Sequence, residues 1–148
     1  MTINNIMLID DNKIDLFVNQ RIIEKYNPEV KTRVFNNGNS ALSFLKLLDL
    51  KETIESETIP SVILLDINMP EMSGFNFFKE FKQLSTLLKN KIEVYILSSS
   101  TSPDDVRKAQ NESLCAGYIT KPLTVDKLKS LLDKSVNMIQ DEPFKKIV

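Results

Sequence analysis

Short apolar runs alternate with helix-period segments along the chain, and the runs end on polar residues. Ile6-Met7-Leu8-Ile9 stops at Asp10-Asp11, and Ile14, Phe17, Val18 and Ile22 then recur at helical spacing as far as Asn27-Pro28. Val30 to Phe35 reads as a strand closed by the turn residues Asn36-Asn37-Gly38. Ala41, Leu42, Phe44, Leu45 and Leu48 mark a second helix, and Lys51 to Thr58 is polar, a loop or a helix extension. Val62 to Leu65 ends at Asp66, Met69-Pro70 breaks the chain, and Phe75, Phe78, Phe81 and Leu84 resume a helical stripe. Ile92 to Leu97 runs into Ser98-Ser99-Ser100. Ser102-Pro103-Asp104-Asp105 starts a helix, with a capping serine, proline at the first helical position and acids in the first turn. Cys115 to Ile119 is a fifth strand, and Thr124 caps a last helix carrying Leu128, Leu131, Leu132 and Val136.

Five such βα units in 148 residues predict one domain over 1–148, a mostly parallel sheet covered by helices on both faces. The tail over 141–148 is expected to fray. Composition removes several functions. No histidine is present, which excludes Ser-His-Asp and Cys-His catalysis and a phosphohistidine on this chain. Nineteen basic and 20 acidic residues give a net charge of -1, without the basic footprint of a nucleic-acid binder. The single cysteine, Cys115, forms no internal disulfide, favours a cytoplasmic setting and reads as a small core hydrophobe. No apolar run approaches the ~18 residues of a membrane helix. The N-terminus lacks a basic segment, which argues against a signal peptide.

The polar residues that end the strands carry the chemistry: Asp10 and Asp11 after the first, Asp66 after the third, Ser98 after the fourth, Lys121 after the fifth. Ligands of open α/β sheets bind outside the carboxyl ends of the strands. If these strands are neighbours, the side chains converge on one crevice. Clustered carboxylates repel, and Mg2+, which takes oxygen ligands, relieves that repulsion. A lysine and a hydroxyl opposite the metal suit phosphate oxygens. An aspartate between them is a candidate nucleophile, since carboxylates form aspartyl-phosphates. Taken singly, each feature has a plainer meaning. Asp10-Asp11 serves as a helix N-cap, Asp66 ends a strand, Met69-Pro70 and Gly74 are turn punctuation, and Ser98-Ser99-Ser100 is a polar loop.

Asp10-Asp11, Asp66 with Met69-Pro70 and Gly74, Ser98, and Lys121-Pro122 together resemble the CheY-like receiver domains of two-component response regulators. The resemblance runs from about Ile6 to Met138 and is closest in outline to single-domain regulators of the phytochrome-associated type. It implies a flavodoxin-like fold, a five-stranded parallel sheet of order 2-1-3-4-5 with five helices on both faces. It implies that Asp66 accepts a phosphoryl group from a histidine kinase or histidine phosphotransfer protein. Mg2+ would be held by Asp11, Asp66 and the backbone carbonyl of Asn68, with Asp10 in support or acting through water. Ser98 takes the switch hydroxyl position, Ser99 the small-residue position beside it, and Tyr118 the aromatic switch position. Lys121 would pair with the phosphoryl oxygens, and Lys121-Pro122 would be a cis peptide. Asn68 and Ser100 stand where side chains influence attack by water on the phosphoryl group. Output would pass to a downstream effector protein by contact, with no nucleic acid or membrane involved.

Two other classes compete. A haloacid-dehalogenase-type phosphatase needs a second acid two residues after the nucleophile, where this chain has Asn68. A flavodoxin-like cofactor binder needs a phosphate-cradling loop after the first strand, where Asp10-Asp11 would repel phosphate.

Overall fold

The computed structural model describes residues 3–51, 58–132 and 144–148. Its sheet is entirely parallel, built from β1 (Asn5–Ile9), β2 (Lys31–Phe35), β3 (Val62–Leu65), β4 (Glu93–Ser98), β5 (Cys115–Thr120) and β6 (Lys145–Ile147). The spatial order is β2-β1-β3-β4-β5-β6. The predicted order 2-1-3-4-5 is therefore present and extended by one strand.

The central strands are buried throughout, as expected of apolar runs covered on both faces. Edge strand β2 is largely exposed and carries Lys31 and Arg33, charges that discourage pairing with another chain. Arg33 also lies over the Phe44 ring, 4.4 Å from its centroid.

The helices are α1 (Lys13–Tyr26), α2 (Gly38–Asp49), α3 (Gly74–Phe81), α4 (Thr86–Lys89), α5 (Pro103–Asn111) and α6 (Val125–Leu132). The single-turn α4 was not anticipated. Each start has a local cause. Asn12, Asn37, Ser73, Ser85 and Ser102 accept hydrogen bonds from backbone N–H groups of the first turns, and Thr124 accepts from Lys127 N. Asn12 is the cap of α1, so Asp10 and Asp11 are left for another purpose. α1 ends at extended Asn27, because Pro28 disfavours helical backbone in the residue before it.

Two cores flank the sheet. Leu16 and Ile23 of α1 and Leu128, Leu131 and Leu132 of α6 cover one face. Residues of α2, α3 and α5 cover the other, with Phe77, Phe78 and Phe81 at its centre. Burying each of these phenylalanines contributes roughly 1.5–3 kcal/mol relative to leaving it in water. Cys115 lies in the same core, and burial pushes its thiol up to about 11, so it is inert at neutral pH.

Two expectations are corrected. The helical spacing of Ile14, Phe17 and Val18 does not mark the core face of α1: these three are exposed, while Leu16, Asn19 and Ile23 are buried. The end of the chain is also not frayed throughout, since Lys145–Ile147 pairs in register with Gly117–Ile119. Gly117 makes this possible. A Cβ there would lie 2.5 Å from the Lys145 carbonyl oxygen, so only a glycine lets the backbones approach. Phe144 packs against the α2–α3–α5 core and Ile147 against the opposite one. Val136, most of Lys51 to Thr58, and 141–143 of the tail lie outside the described residues.

Candidate functional site

The sheet ladder continues one residue past three strands, and those are the residues of interest. Asp10 N donates to Phe35 O, Asp66 N to Ile9 O and Lys121 N to Ser98 O, at 3.1, 2.9 and 2.8 Å. Each backbone is thereby tied to the neighbouring strand before its side chain enters the crevice. A second device repeats at three strand ends. Asp10 Oδ1 accepts from Asn12 N at 2.9 Å, Asp66 Oδ1 from Asn68 N at 3.1 Å and Ser98 Oγ from Ser100 N at 3.1 Å. These turns over two residues are what short oxygen-bearing side chains form at strand ends. They hold one carboxylate oxygen of each aspartate and leave Oδ2 turned to the site.

Asp10, Asp11 and Asp66 come together, each with a carboxylate oxygen within 4.8 Å of the others. Asp10 and Asp66 are buried and Asp11 is exposed. The donor set is all oxygen, the choice of a hard divalent cation, so these residues fit a metal such as Mg2+. Lys121 Nζ lies 2.9 Å from Asp10 Oδ2 and 3.8 Å from Asp66 Oδ2. It also lies 3.1 Å from Asp15 Oδ2, a contact that the sequence reading missed. Its only trace in the sequence is an acid in the first turn of α1, a position that usually means favourable interaction with the helix dipole.

Burial raises the Asp66 carboxyl to about 6, against the Asn68 hydrogen bond and the Lys121 charge, which pull it down. Burial alone would lower the Lys121 ammonium. The hydrogen bond to Asp10 and the charges of Asp66 and Asp10 outweigh it, and the net shift is upward. At neutral pH the site therefore holds an ionised Asp66 of increased basicity beside a fixed positive charge.

The remaining expected residues take distinct places. Ser98 is fully buried at the end of β4, paired in register with Thr120. Ser99 is exposed beside it. Ser100 follows in the loop after β4. Its hydroxyl donates to Asp105 Oδ2 at 2.6 Å and accepts from Ser102 N at 3.2 Å, which builds the loop into α5. Tyr118 is buried, its hydroxyl donating to Ser100 O at 2.8 Å. The ring is thus already inside the protein.

Lys121-Pro122 is a cis peptide. Lys127 of α6 closes this turn, donating to Thr120 O and Pro122 O at 2.6 and 2.8 Å. Gly74 brings the start of α3 against the Asp66 loop. Its N–H donates to Ile67 O, and a Cβ would stand 2.8 Å from the Ile67 Cα. Beside Asp11, a groove of about 210 Å3 lined by Asn36, Gly38, Met69 and Met72 opens to solvent.

The family model of the response regulator receiver domain matches residues 6–133. The two-component response regulator ARR17 of Arabidopsis thaliana is 32% identical over 132 residues, covering 86% of this chain and 81% of that protein. Response regulator Rcp1 of Synechocystis sp. is 30% identical over 116 residues, covering 78% of this chain and 75% of its own. The crystal structure of a two-component response regulator from Cytophaga hutchinsonii superposes with a TM-score of 0.78 at 36% identity, over 93% of this chain and 99% of that one. With this match across the sheet and its carboxyl-end crevice, the chain belongs to the response regulator receiver domain family, the phosphoacceptor switches of two-component signalling.

Proposed function

We propose that Asp66 accepts a phosphoryl group from a phosphohistidine on a histidine kinase or histidine phosphotransfer protein, and that the modified protein signals by contact with a downstream effector. The observation that carries this reading is a buried, basic Asp66 whose Oδ1 is tied to Asn68 N while Oδ2 faces Lys121. Asp66 Oδ2 attacks phosphorus, an O–P bond forms, and the P–N bond breaks with its electron pair leaving on the imidazole. No proton need leave Asp66, because a group with a pKa of about 6 is mostly ionised at pH 7. Lys121 meets the new phosphoryl oxygens with its ammonium, and Ser98 with its hydroxyl.

Asp11, Asp66 and the Asn68 carbonyl are the residues that would hold Mg2+, which offsets phosphoryl charge during transfer. Asp10 supports from behind or through water, because Asn12 N and Lys121 already engage its two oxygens. A donor domain must rest on the surface around the crevice. Exposed Ile14, Phe17 and Val18 on α1 supply apolar area there, next to Asp11. Among the described residues no helix is long and apolar enough to cross a membrane.

The test is incubation with acetyl phosphate and Mg2+, read by intact mass. One phosphoryl group is expected on the wild type and none on Asp66→Asn. Repeated turnover of a generic phosphomonoester would instead support a phosphatase.

A further inference from the structure

Lys121 is one ammonium among three carboxylates, and they do not share it equally. Its hydrogen bonds go to Asp10 Oδ2 and Asp15 Oδ2, at 2.9 and 3.1 Å, while Asp66 Oδ2 at 3.8 Å is beyond hydrogen-bond reach. Asp15 is held for this task. The cap of α1, Asn12 Oδ1, accepts from both Ile14 N and Asp15 N, which fixes the first turn and aims Asp15 at the crevice. Its side chain is 39% exposed, against 5% for Asp10. Asp15 can therefore return to water when Lys121 leaves it, whereas Asp10 cannot.

We propose that Asp15 is a positioning residue that holds Lys121 back from the phosphoacceptor, so that its carboxylate opposes the phosphorylated state. This rests on the reading that Asp66 takes the phosphoryl group. Phosphorylation turns the ionised Asp66 carboxylate into an acyl phosphate, adding about one negative charge and strong acceptor oxygens. It must draw Lys121 forward, and the side chain of lysine, a flexible stem bearing a point charge, can follow. The resting contact with Asp15 is then given up. Whatever that contact contributes at rest is subtracted from the affinity of the site for phosphoryl, since only differential interaction moves a two-state balance.

The test is titration of the full chain with beryllofluoride, a phosphoryl mimic, in the presence of Mg2+. Asp15→Asn keeps the shape and removes the charge. It should lower the half-saturating concentration roughly two- to five-fold, the scale of a partly exposed ion pair. Asp15→Glu should stay near wild type. The gap should narrow in high salt, which screens such a pair. Removing any negative charge near an anion site also favours the anion, and Lys121→Gln separates the two causes. In that background Asp15→Asn should bring no further gain. An equal gain there would overturn the proposal, as would unchanged or weaker binding in Asp15→Asn alone. If wild-type binding depends on Asp66 but Asp15→Asn changes nothing, this inference fails and the phosphoacceptor reading stands. Binding that persists in Asp66→Asn would overturn both.

Discussion

The hydroxyl of Tyr118 donates to the carbonyl of Ser100 at 2.8 Å, joining the middle of β5 to the loop that follows β4. The same Ser100 donates its backbone N–H to Ser98 Oγ. A continuous path of hydrogen bonds thus runs from the buried Ser98 hydroxyl to the aromatic ring on β5. Tyr118→Phe removes one link and leaves the Ser100 carbonyl short of a partner. It should cost about 1 kcal/mol in denaturant unfolding. Unchanged stability would show that the bond contributes nothing.

If Ser98 turned its hydroxyl to a phosphoryl oxygen, as proposed, Ser100 N would lose its acceptor, and the Ser100 loop and Tyr118 would readjust together. NMR with beryllofluoride should show shifts at Ser100, Ser102, Asp105 and Tyr118. In Ser98→Ala they should shrink toward the Asp66 loop. An inward swing of Tyr118 is not expected, because the ring is already buried.

The raised Asp66 carboxyl makes a prediction with a definite sign. The folded state holds this proton more tightly than the unfolded chain, with a pKa of about 6 against 3.8. Its contribution is complete below 3.8 and is lost as pH rises through 6. The metal-free wild type should therefore be less stable than Asp66→Asn at pH 7.5, by about 3 kcal/mol. The gap should close toward pH 4. Parallel pH profiles for the two proteins would contradict a buried, raised Asp66. Mg2+ affinity should fall over the same range, as protons compete for the carboxylate.

The sixth strand is testable through Gly117. Gly117→Ala places a methyl group 2.5 Å from the Lys145 carbonyl oxygen, so β6 must shift or detach. A loss of roughly 1–3 kcal/mol is expected, as for other overpacked sites. Deleting 144–148 should abolish most of that penalty. A penalty that survives the deletion would place the clash elsewhere.

The convergence of the strand-end residues was legible in the sequence because they follow apolar runs in a fixed order, and a parallel sheet brings strand ends together. Asp10, Asp66, Ser98 and Lys121 needed only that topology. What was missed depends on side-chain direction. Ile14, Phe17 and Val18 have helical spacing, but spacing does not say which stripe of α1 faces the sheet, and Leu16 with Ile23 took that place. Asp15 reads as an ordinary first-turn acid until Lys121 is seen beside it, 106 residues away in the chain. The bond from the Ser100 hydroxyl to Asp105 depends on how the loop into α5 is folded, which the serine run does not announce. β6 has only three residues, two of them lysines, and no apolar run announces it. Its signal lies in its partner, a glycine inside a strand.

The central claim is that Asp66 is the residue that carries the phosphoryl group. An acyl phosphate is reduced by borohydride to an alcohol, so an aspartyl-phosphate becomes homoserine, which peptide mass mapping locates. After treatment with acetyl phosphate and Mg2+ and then borohydride, homoserine is expected at position 66 alone. Homoserine at Asp10 or Asp11, or a phosphorylated chain with none at Asp66, would contradict the account.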